Sequence, residues 1–248
     1  MRKHIKLFVF LGTLISVFII YNIFKDENAK INYIALGDSI AEGINSYGSL
    51  GYGYPDYIGD YLKKEERLTF YTKDFAKSGY TIEDVSNDIE NSKTIIINNE
   101  KLNIKEALRE SDLVTISIGA NDFIKDLSIL DFYTKFENMS QAKKEVDKIG
   151  IELKKLMILI KKYAKNQIIL VGYYNPLPRM ETLKADIDEL VKYSNNMYEE
   201  ICDELSITYV DIFEEFNGNK RYLPNPLDIH PNIEGYEVIA KKIIDKIE

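Results

Sequence analysis

The chain has 248 residues, 45% of them apolar, and a formal charge of −8 at pH 7, which suits one domain with a sizeable core. An isoelectric point near 5.1 argues against a nucleic-acid partner, because phosphate binding needs clustered Lys and Arg that acids do not offset. Cys202 is the only cysteine, so an intramolecular disulfide and a cysteine-based metal site are both excluded. Its place on an apolar helical face reads as a buried, inert thiol.

Residues 1–6 make a basic tail with Arg2, Lys3 and Lys6, and Leu7 to Phe24 then runs without a charge or a proline. A helix of that length reaches about 27 Å, just short of the roughly 30 Å hydrocarbon layer. A cleavable secretory signal competes with an uncleaved anchor. The length of the apolar run and the missing small-x-small site after it favour the anchor, a transmembrane helix over residues 7–24. Basic residues before the span place the rest of the chain outside the membrane. Residues 25–30 read as a polar linker, and residues 31–248 as one domain.

Beyond Ile31, short apolar runs alternate with helical stretches, the pattern of repeated βα units around a parallel sheet. Strands are expected at Tyr33–Leu36, Thr69–Phe75, Leu113–Ile118, Ile168–Val171 and Thr208–Val210. Helices are expected near Tyr54–Lys64, Thr81–Asn91, Ile104–Glu110, Gln141–Tyr163, Ile187–Leu205 and Ile233–Ile247. The fifth helix carries the clearest face: Ile187, Leu190, Val191, Ser194, Met197, Tyr198, Ile201, Cys202 and Leu205 recur at spacings of three and four. The stretch from Phe123 to Met139 is too apolar for an ordinary loop and suits a binding cleft or a lid.

Four short motifs follow predicted strands or precede a helix. In IALGDSIAEG an apolar strand stops at Gly37-Asp38-Ser39 and turns into a helix, which puts the Ser39 hydroxyl at the carboxyl end of a strand near unpaired backbone N–H groups. Ser39 could equally be a plain helix cap. Gly79 in AKSGYT could bring a bare N–H close to a ligand, or serve only as a turn glycine. Asn121 in Gly119-Ala120-Asn121-Asp122 could cap the next turn, or supply a neutral donor to a developing oxyanion. His230, in Asp228-Ile229-His230-Pro231, is the only histidine outside the N-terminal tail. A serine hydroxyl needs an adjacent base near neutral pH, and imidazole is the usual one, so a catalytic Ser39 points to His230.

In these four blocks and their order the chain resembles the GDSL/SGNH hydrolase family, over about residues 31–248. The resemblance implies a three-layer α/β/α, flavodoxin-like fold. It implies Ser39 as nucleophile, His230 as general base and acid, and an oxyanion hole made by the N–H groups of Ser39 and Gly79 with the Asn121 amide. The implied chemistry is ester or thioester hydrolysis through an acyl-enzyme, with no metal or cofactor. One departure stands out. The family's acid usually lies three residues before the histidine, a position held here by Leu227, whereas Asp228 lies two before. In an extended segment residues i and i+2 share a side, so the Asp228 carboxylate can reach Nδ1 of His230; the Leu227 carbonyl is the other acceptor available to orient it.

A tethered hydrolase with an apolar, tyrosine-rich segment suggests lipid or lysophospholipid esters as substrate. Removal of O-acetyl groups from a cell-wall or surface polysaccharide is the second enzymatic reading, and a noncatalytic binding module on a hydrolase scaffold is the alternative from another class. A nucleophile kept beside its base counts against the last. A metal-dependent phosphoesterase lacks the several His and Asp ligands such sites use.

Overall fold

The computed structural model describes residues 29–124, 138–217, 219–226 and 228–247. The expected span over residues 7–24, the Leu227 carbonyl and most of the Phe123–Met139 stretch lie outside the described residues. Among those described, no helix is long and apolar enough to cross a membrane.

The chain runs β1 (Ile31–Gly37), α1 (Ser39–Glu42), α2 (Tyr54–Lys64), β2 (Leu68–Thr72), α3 (Ile82–Glu90), β3 (Thr94–Ile97), β4 (Glu100–Asn103), α4 (Ile104–Glu110), β5 (Leu113–Ser117) and α5 (Ala120–Ile124). It continues through α6 (Met139–Tyr163), β6 (Gln167–Val171), α7 (Lys184–Leu205), β7 (Thr208–Val210), α8 (Phe213–Phe216) and α9 (Ile233–Ile244). Five strands form one parallel sheet in the order β2-β1-β5-β6-β7. All five expected strands and all six expected helices are present, with ends shifted by at most a few residues.

Both faces of the sheet are covered, giving three layers. On one face Ile58 and Leu62 of α2 and Tyr236, Ile239 and Ile243 of α9 pack against Tyr33 and Ala35 of β1. On the other, α3, α4, α6 and α7 cover Ile34, Leu36, Val114 and Ile116. Burying strands on both faces is why LVTIS is buried at every position instead of at alternate ones; of its two polar side chains, Thr115 bonds the Tyr33 hydroxyl at 2.8 Å and Ser117 donates to Asp38. Local chemistry sets the helix starts: Thr81 accepts from Asp84 N–H at 3.3 Å while Asp84 accepts from Thr81 N–H at 2.9 Å, a reciprocal cap for α3.

One element was not expected from the sequence. Residues 94–103 form an antiparallel hairpin, turning on Asn98 and Asn99 with φ of 53° and 67°. Two consecutive left-handed residues are what a two-residue hairpin turn requires, and Asn tolerates them best after Gly.

The strand order has a functional consequence. Beside β1 the order reverses, with β2 to one side and β5 to the other, and in such sheets the connections leaving the two central strands diverge and open a crevice at their carboxyl ends. Ser39 follows β1 and Asn121 follows β5.

Candidate active site

Gly37 ends β1 at φ 125°, and a Cβ there would lie 2.0 Å from the Ser117 carbonyl oxygen. Only glycine lets the chain turn so close to β5. Asp38 then caps α1, its carboxylate accepting from Ile40 N–H at 3.0 Å and from Ser117 Oγ at 3.3 Å. Ser39 becomes the first residue of α1 and is 6% exposed.

His230 arrives from the segment before α9. Tyr174 OH donates to the Ile229 carbonyl at 2.8 Å, and Asn225 Nδ2 donates to the Ser46 carbonyl at 2.9 Å, so the segment is fixed both to the end of β6 and to the loop after α1. Imidazole Nε2 lies 2.8 Å from Ser39 Oγ, and Nδ1 lies 2.6 Å from Asp228 Oδ1. The same carboxylate oxygen accepts His230 backbone N–H at 2.8 Å. That local turn is how an acid only two residues upstream reaches the ring: one oxygen holds both the main chain and the side chain of His230. A carboxylate only accepts, so the ring proton sits on Nδ1 and Nε2 is left to accept from the serine hydroxyl.

Gly79 and Asn121 complete the arrangement. Gly79 has φ 81°, and nothing lies within 4 Å of where its Cβ would be. Unlike Gly37, it is bare because it faces open space. Among the described residues no acceptor takes the N–H of Ser39 or of Gly79. Asn121 Nδ2 donates to the Tyr80 carbonyl at 2.8 Å, which fixes the amide and leaves one of its two hydrogens for a ligand.

Two acids, Asp122 from the Gly119–Asp122 block and Glu42 from outside any motif, tie these loops together. Asp122 accepts from Ile82 N–H at 3.1 and 3.2 Å, one contact per oxygen, and Glu42 accepts from Ser78 N–H at 2.6 Å. Lys77 N–H also donates to the Gly37 carbonyl at 3.0 Å. Asp122 closes a recognisable block, although the block alone does not assign it this link, whereas Glu42, closing a short helix, is not distinguishable in sequence from solvated charge.

Burial pushes the Asp38 carboxyl up to about 7, against the lowering effect of its bonds to Ile40 and Ser117. Cys202 is fully buried, and burial pushes its thiol up to about 12, which leaves it inert. Among the described residues no cluster of His, Cys, Asp and Glu could hold a metal ion.

Beside Asp38 and Ser117 lies a cavity of about 130 Å³, walled by α5, α6 and α7 and by the chain leaving β6. Phe123 and Ile124, from the stretch expected to form a cleft, belong to its lining.

Residues 35–238 match the GDSL-like Lipase/Acylhydrolase family. The uncharacterized protein YpmR of Bacillus subtilis (strain 168) is 25% identical over 219 residues, covering 86% of this chain and 80% of that protein. Among solved structures, an acetylxylan esterase from Geobacillus stearothermophilus is similar with a TM-score of 0.59 and 22% identity, over 89% of this chain and 95% of its own. An extracellular lipase from Streptomyces rimosus is similar with a TM-score of 0.59 and 18% identity, over 88% of this chain and 100% of its own. At these identities the two structures share the fold with this chain.

Proposed function

The chain belongs to the GDSL-like lipase/acylhydrolase family and is an ester-hydrolysing serine hydrolase, and from that premise we propose that it cleaves lipid-type acyl esters with Ser39 as nucleophile, His230 as general base and acid, and Asp228 orienting the imidazole. The observation that carries the assignment is the continuous hydrogen-bonded line from Asp228 through His230 to Ser39 Oγ.

In this mechanism Ser39 Oγ attacks the ester carbonyl while its proton passes to Nε2. Asp228 stabilises the imidazolium that forms and holds its orientation. Negative charge on the former carbonyl oxygen meets three donors, the N–H groups of Ser39 and Gly79 and the Asn121 amide, each worth roughly 2.7–4 kcal/mol. Nε2–H then protonates the departing alkoxide. Water, deprotonated by the same nitrogen, attacks the acyl-enzyme and releases the acid and the free serine.

Hydrolysis of p-nitrophenyl esters from acetyl to palmitoyl tests the assignment. Ser39→Ala and His230→Ala are expected to abolish turnover. Asp228→Asn should lower kcat by about 10⁴-fold and Asn121→Ala by about 10²–10³-fold. A Ser39→Ala variant that keeps its rate overturns the nucleophile; an Asn121→Ala variant with unchanged kcat overturns the oxyanion hole.

A second reading, deacetylation of a surface polysaccharide, draws support from Tyr47 and Tyr52, exposed on the loop after α1, since tyrosine rings stack on sugars. Acetylated polysaccharide hydrolysed faster than any longer acyl ester would favour it. We place the domain outside the membrane, held by residues 7–24 as an uncleaved anchor, on the strength of that uncharged run and the basic residues before it.

A further inference from the structure

We propose that the cleft at the amino ends of the strands, at the opposite end of the sheet from Ser39, binds the phosphate headgroup of an anionic lipid and so docks the domain on the bilayer that anchors it. The proposal rests on the reading of residues 7–24 as an uncleaved anchor and goes beyond it by naming the surface that meets the membrane.

The fold gathers charge by its topology. A helix that connects two parallel strands runs opposite to them, so helix starts collect at the Ser39 end of the sheet and helix ends collect at its foot. Acids near a helix start and bases near a helix end each stabilise their own helix, and parallel packing adds these choices up. α2, α3 and α9 carry Asp56, Asp84 and Glu234 in their first turns. α2, α6 and α9 close on Lys63 and Lys64, Lys161 and Lys162, and Lys241 and Lys242. Acids such as Glu66 and Glu110 reach the foot as well, so the charge that decides the ligand is that of the cleft itself.

The cleft has a volume of about 460 Å³ and is lined by Lys30, Arg67 and Lys165, with the amides of Asn166 and Gln167 and the hydroxyl of Ser206. Asp112 is the acid in this lining, and both of its oxygens are taken: Oδ2 accepts from Asn32 N–H at 2.9 Å and Oδ1 from Asn166 Nδ2 at 3.2 Å. The two lysines are held by the main chain. Lys30 Nζ donates to the Glu66 carbonyl at 2.5 Å and Lys165 Nζ to the Lys161 carbonyl at 3.3 Å. Among the described residues neither ammonium pairs with a carboxylate. Each has three donors and uses one here, which leaves two for a ligand. Cations flanked by amide and hydroxyl donors suit a phosphodiester, whose oxygens only accept.

Position names the source of that phosphate. Ala29 and Lys30, the two residues before β1, form part of the wall. Five Cα–Cα steps lead from Phe24, the last residue of the uncharged run, to Ala29, and they span at most about 18 Å. The anchor therefore holds this cleft over the headgroup layer. Seating a headgroup in it turns Ser39 away from the bilayer. A soluble phosphate would meet the same donors without drawing the foot to the membrane.

The test uses the full chain reconstituted into phosphatidylcholine vesicles with and without added phosphatidylglycerol. A donor dye sits on Tyr47→Cys, on the exposed loop at the site end, or on Asp245→Cys, just after α9 at the foot; Cys202 is buried and stays unlabelled. Energy transfer to acceptor-labelled headgroups reads the height of each end. Phosphatidylglycerol is expected to raise transfer from the foot and lower it from the site end, and salt to reverse both. Each cation at an anionic surface is worth about fivefold in docking. Lys30→Gln/Lys165→Gln should therefore lower the ratio of docked to undocked domain by roughly 25-fold, with hydrolysis of soluble p-nitrophenyl esters unchanged. Millimolar glycerol 3-phosphate, too dilute to screen charge, should leave the docking in place. Transfer in wild type that ignores phosphatidylglycerol and salt would overturn the proposal without any variant. So would a full response in a double variant that hydrolyses ester at the wild-type rate, and release by glycerol 3-phosphate would assign the cleft to a free anion instead. Alkaline carbonate separates the two readings. A chain that it strips from the vesicles has no anchor, and both fall; a chain that stays and shows no response keeps the anchor and loses only the docking.

Discussion

Asp38 is the residue whose energetics are least favourable, and it sits beside the nucleophile. Asp38 is 2% exposed, and among the described residues the groups coupled to its charge are Asp122 and the hydroxyls of Tyr54, Tyr173, Tyr174, Tyr198 and Tyr236. A carboxyl whose folded value is raised from 3.8 to about 7 binds its proton more tightly in the folded state than in the unfolded chain. Its contribution to stability is therefore fully present below pH 4 and is lost as pH rises through 7, by roughly 4 kcal/mol in total. Asp38→Asn keeps an oxygen to accept from Ile40 N–H and Ser117 Oγ but removes the titration. Urea unfolding at pH 4 and pH 8 should show wild type losing roughly 4 kcal/mol relative to the variant across that interval. Parallel pH dependence of the two proteins would contradict the assignment.

At the scale of elements, the site is three strand-end loops, after β1, β2 and β5, with the segment before α9 closing over them. Gly37, Gly79 and Gly119 in these loops all have positive φ; the first two have it for different reasons, and substitution separates them. Gly37→Ala drives a methyl into the Ser117 carbonyl, 2.0 Å away, and should cost about 2–5 kcal/mol of stability from left-handed strain and overpacking together. Gly79→Ala meets no neighbour within 4 Å, so only the strain of about 1–2 kcal/mol applies, while its methyl enters the space where the substrate oxygen would sit. Thermal unfolding should fall steeply for the first variant and slightly for the second; kcat of the second should drop far more than its stability loss explains. Equal effects on Tm would show that Gly79 is a packing residue.

These elements were legible in the sequence to the extent that their chemistry is local. LVTIS and QIILV are β-branched runs that only a doubly covered strand explains, and the three-and-four spacing from Ile187 to Leu205 marks α7 directly. The hairpin at 94–103 was missed because its turn uses Asn98-Asn99 where Gly is the stronger signal, although TIII before it is a β-branched run. Ser39, Gly79, Asn121 and His230 could be picked out because each follows a strand or precedes a helix in a recognisable block. The linking roles of Asp122 and Glu42 depend on which loops the sheet order brings together, and the cavity depends on how α5, α6 and α7 pack. Neither is written in any contiguous stretch.

For the whole molecule, the sheet fixes where the site lies relative to the point at which the chain enters the domain. β1 begins at Ile31, directly after residues 25–30, which we propose as a linker, and Ser39 lies beyond its far end. Seven strand residues at about 3.3 Å each separate the two by roughly 23 Å. Seven Cα–Cα steps lead from Phe24 to Ile31, and fully extended they span at most about 25 Å. If residues 7–24 anchor the chain, turning the site toward its own bilayer would hold the linker close to full extension, a conformation of low entropy. The enzyme should therefore act more readily on esters presented from solution, micelles or another surface. In proteoliposomes carrying the full chain and a membrane-embedded medium-chain monoacylglycerol, hydrolysis should be slow in the host vesicle and rise in proportion to added substrate vesicles. Inserting about fifteen Gly/Ser residues into the linker adds on the order of 20 Å of flexible reach and should restore hydrolysis within the host bilayer. A rate that is fast in the host vesicle before any insertion, and unchanged by dilution, would mean that the domain reaches its own membrane and that this geometry does not govern access.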